Sequence, residues 1–133
     1  MALLTISEVA QQVGMRTSAI RYYERLGILL PPSRVSGQRR YGSTVVPQLA
    51  VLKRAQDVGF TLDEIRRLFF GFPKSTPISA RWQELAATKL AELDAKLEQI
   101  KSMKALLQRL KTNCHCDTVE RCGAKMVQAG CAD

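Results

Sequence analysis

The sequence predicts a mainly α-helical chain with a small hairpin after its second helix, one long unbroken helix in its second half, and a short cysteine-containing C-terminal loop. Three observations predict it. Apolar residues recur at helical spacing in separate short runs through the first 72 residues, each run bounded by capping or breaking residues. Residues 79–111 contain neither Gly nor Pro. All four cysteines and the single histidine lie between Asn113 and Cys131.

The elements follow in order. In Thr5–Gly14, "TISEVAQQVG", Ile6, Val9, Ala10 and Val13 share a helical face behind Thr5, with Glu8 three residues after it in a capping-box arrangement, and Gly14 as the stop. "RTSAIRYYERLG" resumes the pattern: Thr17 is read as the cap, Ala19, Ile20 and Tyr23 face inward, and Gly27 terminates. Two short helices across a Gly-containing turn make a helix-turn-helix, whose second helix ordinarily enters the DNA major groove; the bland alternative is a plain αα-hairpin. Pro31-Pro32 then breaks the chain, and Ser36-Gly37 turns it between stretches carrying Arg34 and Arg39-Arg40-Tyr41. A hairpin there is a wing, with Arg34, Arg39 and Arg40 placed to meet a phosphate backbone rather than a mere solvated loop.

From Ser43, Val46, Leu49, Leu52, Ala55 and Val58 recur at helical intervals, with Pro47 tolerable only in the first turn. Thr61 and Glu64 form a second capping box ahead of "EIRRLFFGF", where Phe69, Phe70 and Phe72 are expected to fill a core. "GFPKSTP" is a breaker cluster. Beyond it Ala86, Leu90, Leu93, Leu97, Ile100 and Leu107 alternate at three and four, interrupted by Lys104. A helix of roughly 50 Å is too long to bury that stripe on a small domain, so an antiparallel coiled coil between two copies is expected.

Charge supports the same picture. The 133 residues carry 20 Lys+Arg against 12 Asp+Glu, a formal +8. Through Arg40 there are six arginines, no lysine, and only Glu8 and Glu24 as acids; arginine is the side chain suited to bidentate phosphate and guanine contacts. No apolar run is long enough to span a bilayer, and the first residues lack a basic segment followed by a long apolar one, so no membrane association and a cytoplasmic location are expected. With one histidine, no Gly-rich phosphate loop and no paired carboxylates in an evident cleft, an enzyme is not expected.

The order of these parts resembles the MerR family of bacterial transcriptional regulators over essentially the whole chain. The resemblance is carried by "TISEVAQQVGMRTSAIRYYERLGIL", "RVSGQRRY" and "LAVLKRAQDVGFTLDEIRRLF", then by the long helix and the cysteine tail. It implies a winged helix-turn-helix DNA-binding domain with accessory helices over 1–72, a hinge at 73–78, a dimerisation helix over 79–111 and an effector-binding loop and tail over 112–133. It also implies a homodimer on double-stranded promoter DNA, which distorts the promoter on effector binding so that RNA polymerase can initiate. By position, Thr17, Ser18, Arg21 and Tyr22 fall on the recognition helix, and Arg34, Arg39, Arg40 and Tyr41 on the wing and its approach. Lys53 and Arg54 are weaker phosphate candidates.

The cysteines read Cys114-x-Cys116-x5-Cys122-x8-Cys131, with His115 between the first two. Paired C-x2-C ligands or a His pair, the usual mark of a zinc knot, are missing, and a reducing compartment disfavours a disulfide staple. Thiolates select soft ions such as Cu(I) and Hg(II), accept Zn(II), and hold iron–sulfur clusters. In metal-responsive members of the family two cysteines bracket the loop after the dimer helix, and a partner-subunit position at the start of that helix distinguishes ions by charge. Those positions fall on Cys114 and Cys122 and on Ser79. Serine there resembles the CueR-like group and implies Cu(I) or Ag(I) held by two thiolates. Cys116 is an additional candidate that would open the site to Zn(II), Cd(II) or Hg(II). The C-x-C-x5-C spacing is also similar to that of SoxR-like iron–sulfur sensors, whose further upstream cysteine would fall on Lys111, so Cys131 would have to substitute. Two other readings stay open: a metal-binding carrier on a helical scaffold, and a regulator switched by a tail disulfide.

Overall fold

A computed structural model describes residues 3–128, so Cys131 lies outside the described residues. Six helices and one two-stranded sheet appear among them, in two compact units, one up to Leu85 and one from Ala86.

Helix α1 (Ile6–Val13) starts on the capping box the sequence predicts. Glu8 N donates to Thr5 Oγ1 at 3.1 Å and Thr5 N donates to Glu8 Oε1 at 3.0 Å. Its end is Gly14, left-handed at φ 68°, the conformation that a side chain would strain. Lys53 then donates to the Val13 and Gly14 carbonyls, both at 3.3 Å, so this lysine is spent on the orphan acceptors of α1. The Thr5 N–H, first, and its hydroxyl hold the Glu8 carboxyl below its ordinary range. Because folding lowers this pKa, the contribution is present above the ordinary carboxylate pKa and is lost as the pH falls through the folded value. A side-chain NMR titration of Glu8 is expected to give a lower midpoint in the folded protein than in the urea-unfolded chain.

Helix α2 (Thr17–Arg25) begins one residue earlier than capping by Thr17 would allow. Arg16 is the cap residue, extended and without a side-chain hydrogen bond, and Thr17 is already helical. Buried Ile20 and Tyr23 face the core as expected, and Gln56 donates its amide to the Tyr23 hydroxyl. The wing is β1 (Ser33–Val35) paired antiparallel with β2 (Gln38–Arg40), Arg34 opposite Arg39. Ser36 and Gly37 both have positive φ, the two-residue turn that suits the twist of a hairpin. Just past the wing, Tyr41 and Leu4 exchange both backbone hydrogen bonds at 2.8 Å.

Helix α3 (Val45–Asp57) carries Pro47 in its first turn and buries Val45, Leu49, Leu52 and Ala55. Val58, expected on that face, is exposed because the helix has ended one residue before it. Helix α4 (Leu62–Phe70) starts on the Thr61–Glu64 capping box. Ile65 and Leu68 are buried, and Phe69 and Phe72 pack partly against the core. Phe70 does not: it is 57 % exposed, correcting the expectation that all three phenylalanines fill a core. Residues 65, 68 and 69 share a helical face, position 70 points away from it, and Phe72 reaches the core from just beyond the helix end. Arg81 closes the end of α4, donating to the carbonyls of Leu68 at 3.1 Å, Phe69 at 3.2 Å and Thr76 at 3.0 Å.

Helix α5 (Ile78–Asn113) has 36 residues, about 54 Å at 1.5 Å per residue. Leu90, Leu93, Leu97, Ile100 and Leu107 are all exposed in the single chain, with Met103 and Leu106 beside them. The tail, expected from its sequence to be loop, holds helix α6 (Val119–Val127). Thr118 caps it by accepting from Arg121 N at 3.1 Å. No helix among the described residues is long and apolar enough to cross a membrane.

Candidate metal centre and nucleic-acid interface

Three thiols converge where α5 ends. Cys114 still closes the last turn of α5, its N–H donating to the Leu110 carbonyl at 3.1 Å. Cys116 sits in the five-residue connection 114–118. Cys122 lies in the first turn of α6, its N–H donating to the Thr118 carbonyl at 3.1 Å. The Cys114 and Cys122 sulfurs are 3.8 Å apart, and all three sulfurs lie within 4.8 Å of one another. All three residues are half-buried, open enough for an ion to enter yet shielded from bulk water. As a donor set, three sulfurs at this spacing fit one soft ion.

His115 points outward and is not part of the cluster, and Ser79 is exposed in the first turn of α5. The connection is stiffened on its far side: Arg121 Nη1 donates to both Asp117 carboxylate oxygens, at 3.0 and 3.1 Å. Asp117 reaches α6 through this exposed ion pair, and Thr118 through the hydrogen bond its hydroxyl accepts from Arg121 N.

The second site is the cationic face of the first unit. Ser18, Arg21 and Tyr22 are exposed on α2 and Thr17 is half-buried at its start. Arg34 is exposed and Arg39 and Arg40 are half-buried on the wing. A cleft of about 450 Å³ between the α1 start, α2 and the wing brings Arg21, Arg39 and Arg40 together and adds Thr5, Ser7 and Gln38. Ser7 and Gln38 carry no charge signal in the sequence, and Thr5 is legible there only as a helix cap. The cleft can take an anion of phosphate size, and phosphate contacts fix register on a duplex.

Tyr41 is placed differently from the expectation. It is 2 % exposed, and its hydroxyl donates to Glu24 Oε1, so its side chain braces the wing against α2 and does not face a duplex. Burial, first, and the Glu24 hydrogen bond keep its phenol protonated well beyond the ordinary tyrosine range. Arg39 Nε donates to the other oxygen, Glu24 Oε2, at 3.1 Å. One carboxylate on α2 therefore holds two residues of the wing. Replacing Glu24 with alanine strands a buried phenol and a half-buried guanidinium. The expected loss is about 3 kcal/mol, two hydrogen bonds to a charged acceptor, read as a drop in the urea midpoint of the first unit.

The chain matches the MerR HTH family regulatory protein pattern over residues 4–70 and the MerR DNA-binding pattern over residues 46–110. It is 33 % identical over 129 residues to the HTH-type transcriptional regulator CueR of Yersinia pestis, covering 96 % of this chain and 93 % of that one. It is 34 % identical over 110 residues to the mercuric resistance operon regulatory protein of Bacillus cereus, covering 82 % and 83 %. Its fold is similar to the crystal structure of the regulator PbrR691 from Ralstonia metallidurans in complex with lead(II), with a TM-score of 0.74, 24 % identity, and coverage of 95 % of this chain and 99 % of that one.

Proposed function

The chain belongs to the MerR family of helix-turn-helix regulatory proteins, and from that premise we propose that it is a transcriptional activator that reports a thiophilic metal ion to a promoter. The observation that carries the reading is the convergence of three cysteine sulfurs within 4.8 Å directly after the long helix. Names of relatives support a metal effector, one of them being a mercuric resistance regulator, and do not settle which ion this chain takes. Serine at position 79 favours Cu(I) or Ag(I), bound by Cys114 and Cys122.

In this reading two copies pair along the exposed apolar stripe of α5, which sets two recognition helices at a fixed separation on a palindromic promoter. Thr17, Ser18, Arg21 and Tyr22 address the groove, while Arg34, Arg39 and Arg40 grip phosphate. Few base contacts are needed if the complex works by deforming the duplex, since the cost of bending depends on sequence. Ion binding orders the connection 114–118 and α6, and the protein's response is a changed DNA geometry that RNA polymerase can use. The work is done by binding energy: the thiols give up their protons as they take the ion, and no covalent bond of the DNA is made or broken.

The test uses a duplex selected from a random pool by the anaerobically purified protein. A sequence-preferring complex with and without Cu(I), and transcription from that duplex only with the ion, is the expected outcome. Ion binding without any sequence preference would mean a metal carrier. A visible absorption band with iron and sulfide in the purified protein would replace the metal-ion reading with a redox cluster.

A further inference from the structure

We propose that Arg81 and Arg66 are positioning residues for the transcriptional response. Arg81 makes the first two turns of α5 and helix α4 one rigid piece, and Arg66 fastens that piece to the end of helix α2. The proposal rests on the reading of the chain as an ion-responsive activator, and names the two joints through which a displacement of α5 reaches the DNA-binding helix.

The corner between α4 and α5 is where the sequence places a hinge, at 73–78, yet strong bonds run across it. Arg81 is half-buried in the first turns of α5. Its one guanidinium donates to Leu68 and Phe69 in the last turn of α4, at 3.1 and 3.2 Å, and to Thr76 in the connection at 3.0 Å. The last carbonyls of a helix lack partners within it and form the negative end of its dipole, so a cation is held well there. Bonds from a charged donor are also about twice as strong as neutral ones. The Phe72 ring lies 5.8 Å from the Arg81 guanidinium and 5.5 Å from that of Arg67, within cation–π range of both. Arg67 in turn pairs with Glu84 of α5 at 2.7 Å. Trp82 meets Phe60 with ring centres 5.6 Å apart, and Leu85 is buried. The compact first unit accordingly ends at Leu85, inside α5, and not at the breaker segment.

The second joint uses the same chemistry. Arg66 Nη2 donates at 2.6 Å to the carbonyl of Leu26, the residue that ends α2. Between the two arginines, Ile65 and Leu68 of α4 are buried in one core with Ile20 and Tyr23 of α2. A packed core of this kind moves as a piece and does not deform continuously. A turn of the start of α5 is therefore passed through α4 to α2, with a cation-to-carbonyl bond at each end. A helix cap needs only a cation at its own helix end, whereas Arg81 also holds the connection and Arg66 reaches a different helix.

The experiment compares three readings of the full chain: transcription from the selected duplex with Cu(I), Cu(I) affinity without DNA, and duplex affinity without the ion. Arg81→Ala and Arg66→Ala should each cut induced transcription at least about fivefold, the low end of coupling between sites. Both affinities should stay within about twofold of the parent. Joints in series are not additive, so the double variant should lose no more than the larger single loss. Lys101→Ala, at an exposed ion pair further along α5, should leave all three readings within about twofold. If circular dichroism shows Arg81→Ala unfolded, Arg66→Ala, with its exposed side chain, decides alone. Unchanged transcription, multiplying losses in the double variant, or a duplex affinity that falls in step with transcription would each overturn the proposal. Hydrogen exchange gives a reading that needs no effector. The Gly27 and Ile28 amides close the end of α2, and Arg81→Ala should speed their exchange at least about fivefold. A parent that binds the duplex but never answers Cu(I) would remove the metal reading, and this exchange would then judge the two joints by itself; an unchanged rate would sink them.

Discussion

Cys122→Ser is expected to abolish the ion response while leaving promoter binding within about twofold of the original protein. The substitution exchanges a soft, readily ionised donor for a hard hydroxyl that stays protonated, and soft ions discriminate strongly between the two. At least a hundredfold loss in ion affinity is expected, on the order of the upper end of what a single outer-sphere group contributes. The fold should not notice. Cys122 is half-buried in the first turn of α6, and that helix is started by Thr118 and restrained by the Arg121–Asp117 pair, neither of which uses the thiol. The measurement is transcription from the selected promoter against ion concentration, with duplex affinity taken from the same preparations. A variant that still responds at the original ion concentration would place the effector elsewhere in the chain.

Leu97→Asp is expected to split the dimer. Leu90, Leu93, Leu97 and Ile100 form a continuous apolar stripe, and Leu97 is 52 % exposed in the single chain. Such a stripe on a charged helix is the mark of a surface that another chain covers. Each leucine buried there contributes about 1.5–3 kcal/mol, twice over in a symmetric pair. An aspartate at the centre removes that gain and places an unpaired carboxylate against apolar side chains. A total near 5 kcal/mol, more than a thousandfold in dissociation constant, is the expected effect. Sedimentation equilibrium at micromolar protein should show monomer where the parent is dimeric, and affinity for a two-half-site duplex should collapse toward that for one half-site. Residue 97 lies in the second unit, so the melting of the first unit should be unaffected. A variant that remains dimeric would mean that the stripe is not the seam.

The elements legible in the sequence are those whose ends carry their own chemistry. Thr5–Glu8 and Thr61–Glu64 announce two helix starts, Gly14 a stop and Ser36-Gly37 a turn, and each acts where it was read. Helix α6 is hard to see in the sequence because its cap has arginine, not an acid, three residues on, and because Cys122 and Gly123 read as loop residues; the Thr118 hydroxyl is the one signal of its start. The start of α2 lies one residue before the one its sequence suggests, because threonine is a frequent cap and the extended residue before it, Arg16, makes no side-chain cap hydrogen bond. The sequence places Tyr41 at the wing but does not show that its side chain is buried. Its burial depends on a backbone pairing with Leu4 and a hydroxyl partner at Glu24, far apart in the chain. The cysteine spacing showed which residues were available, whereas the convergence of all three needed the turn between α5 and α6.

The carboxylate of Glu24 has an electrical consequence for the wing. Arg34 and Arg40 spend their hydrogen bonds inside the hairpin, on the Gly37 carbonyl and on Arg39 and Gln38, which carry no negative charge. Arg39 carries a fixed anion with it. When a duplex arrives, the cations condensed on its phosphates are displaced by unmatched positive charge, and the logarithm of affinity falls with the logarithm of salt by about 0.9 per phosphate neutralised. Losing Arg34 or Arg40 should flatten that slope by nearly one full phosphate, and losing Arg39 by a smaller step. The wing shows three arginines, but on the proposed reading it would offer a polyanion less than three charges.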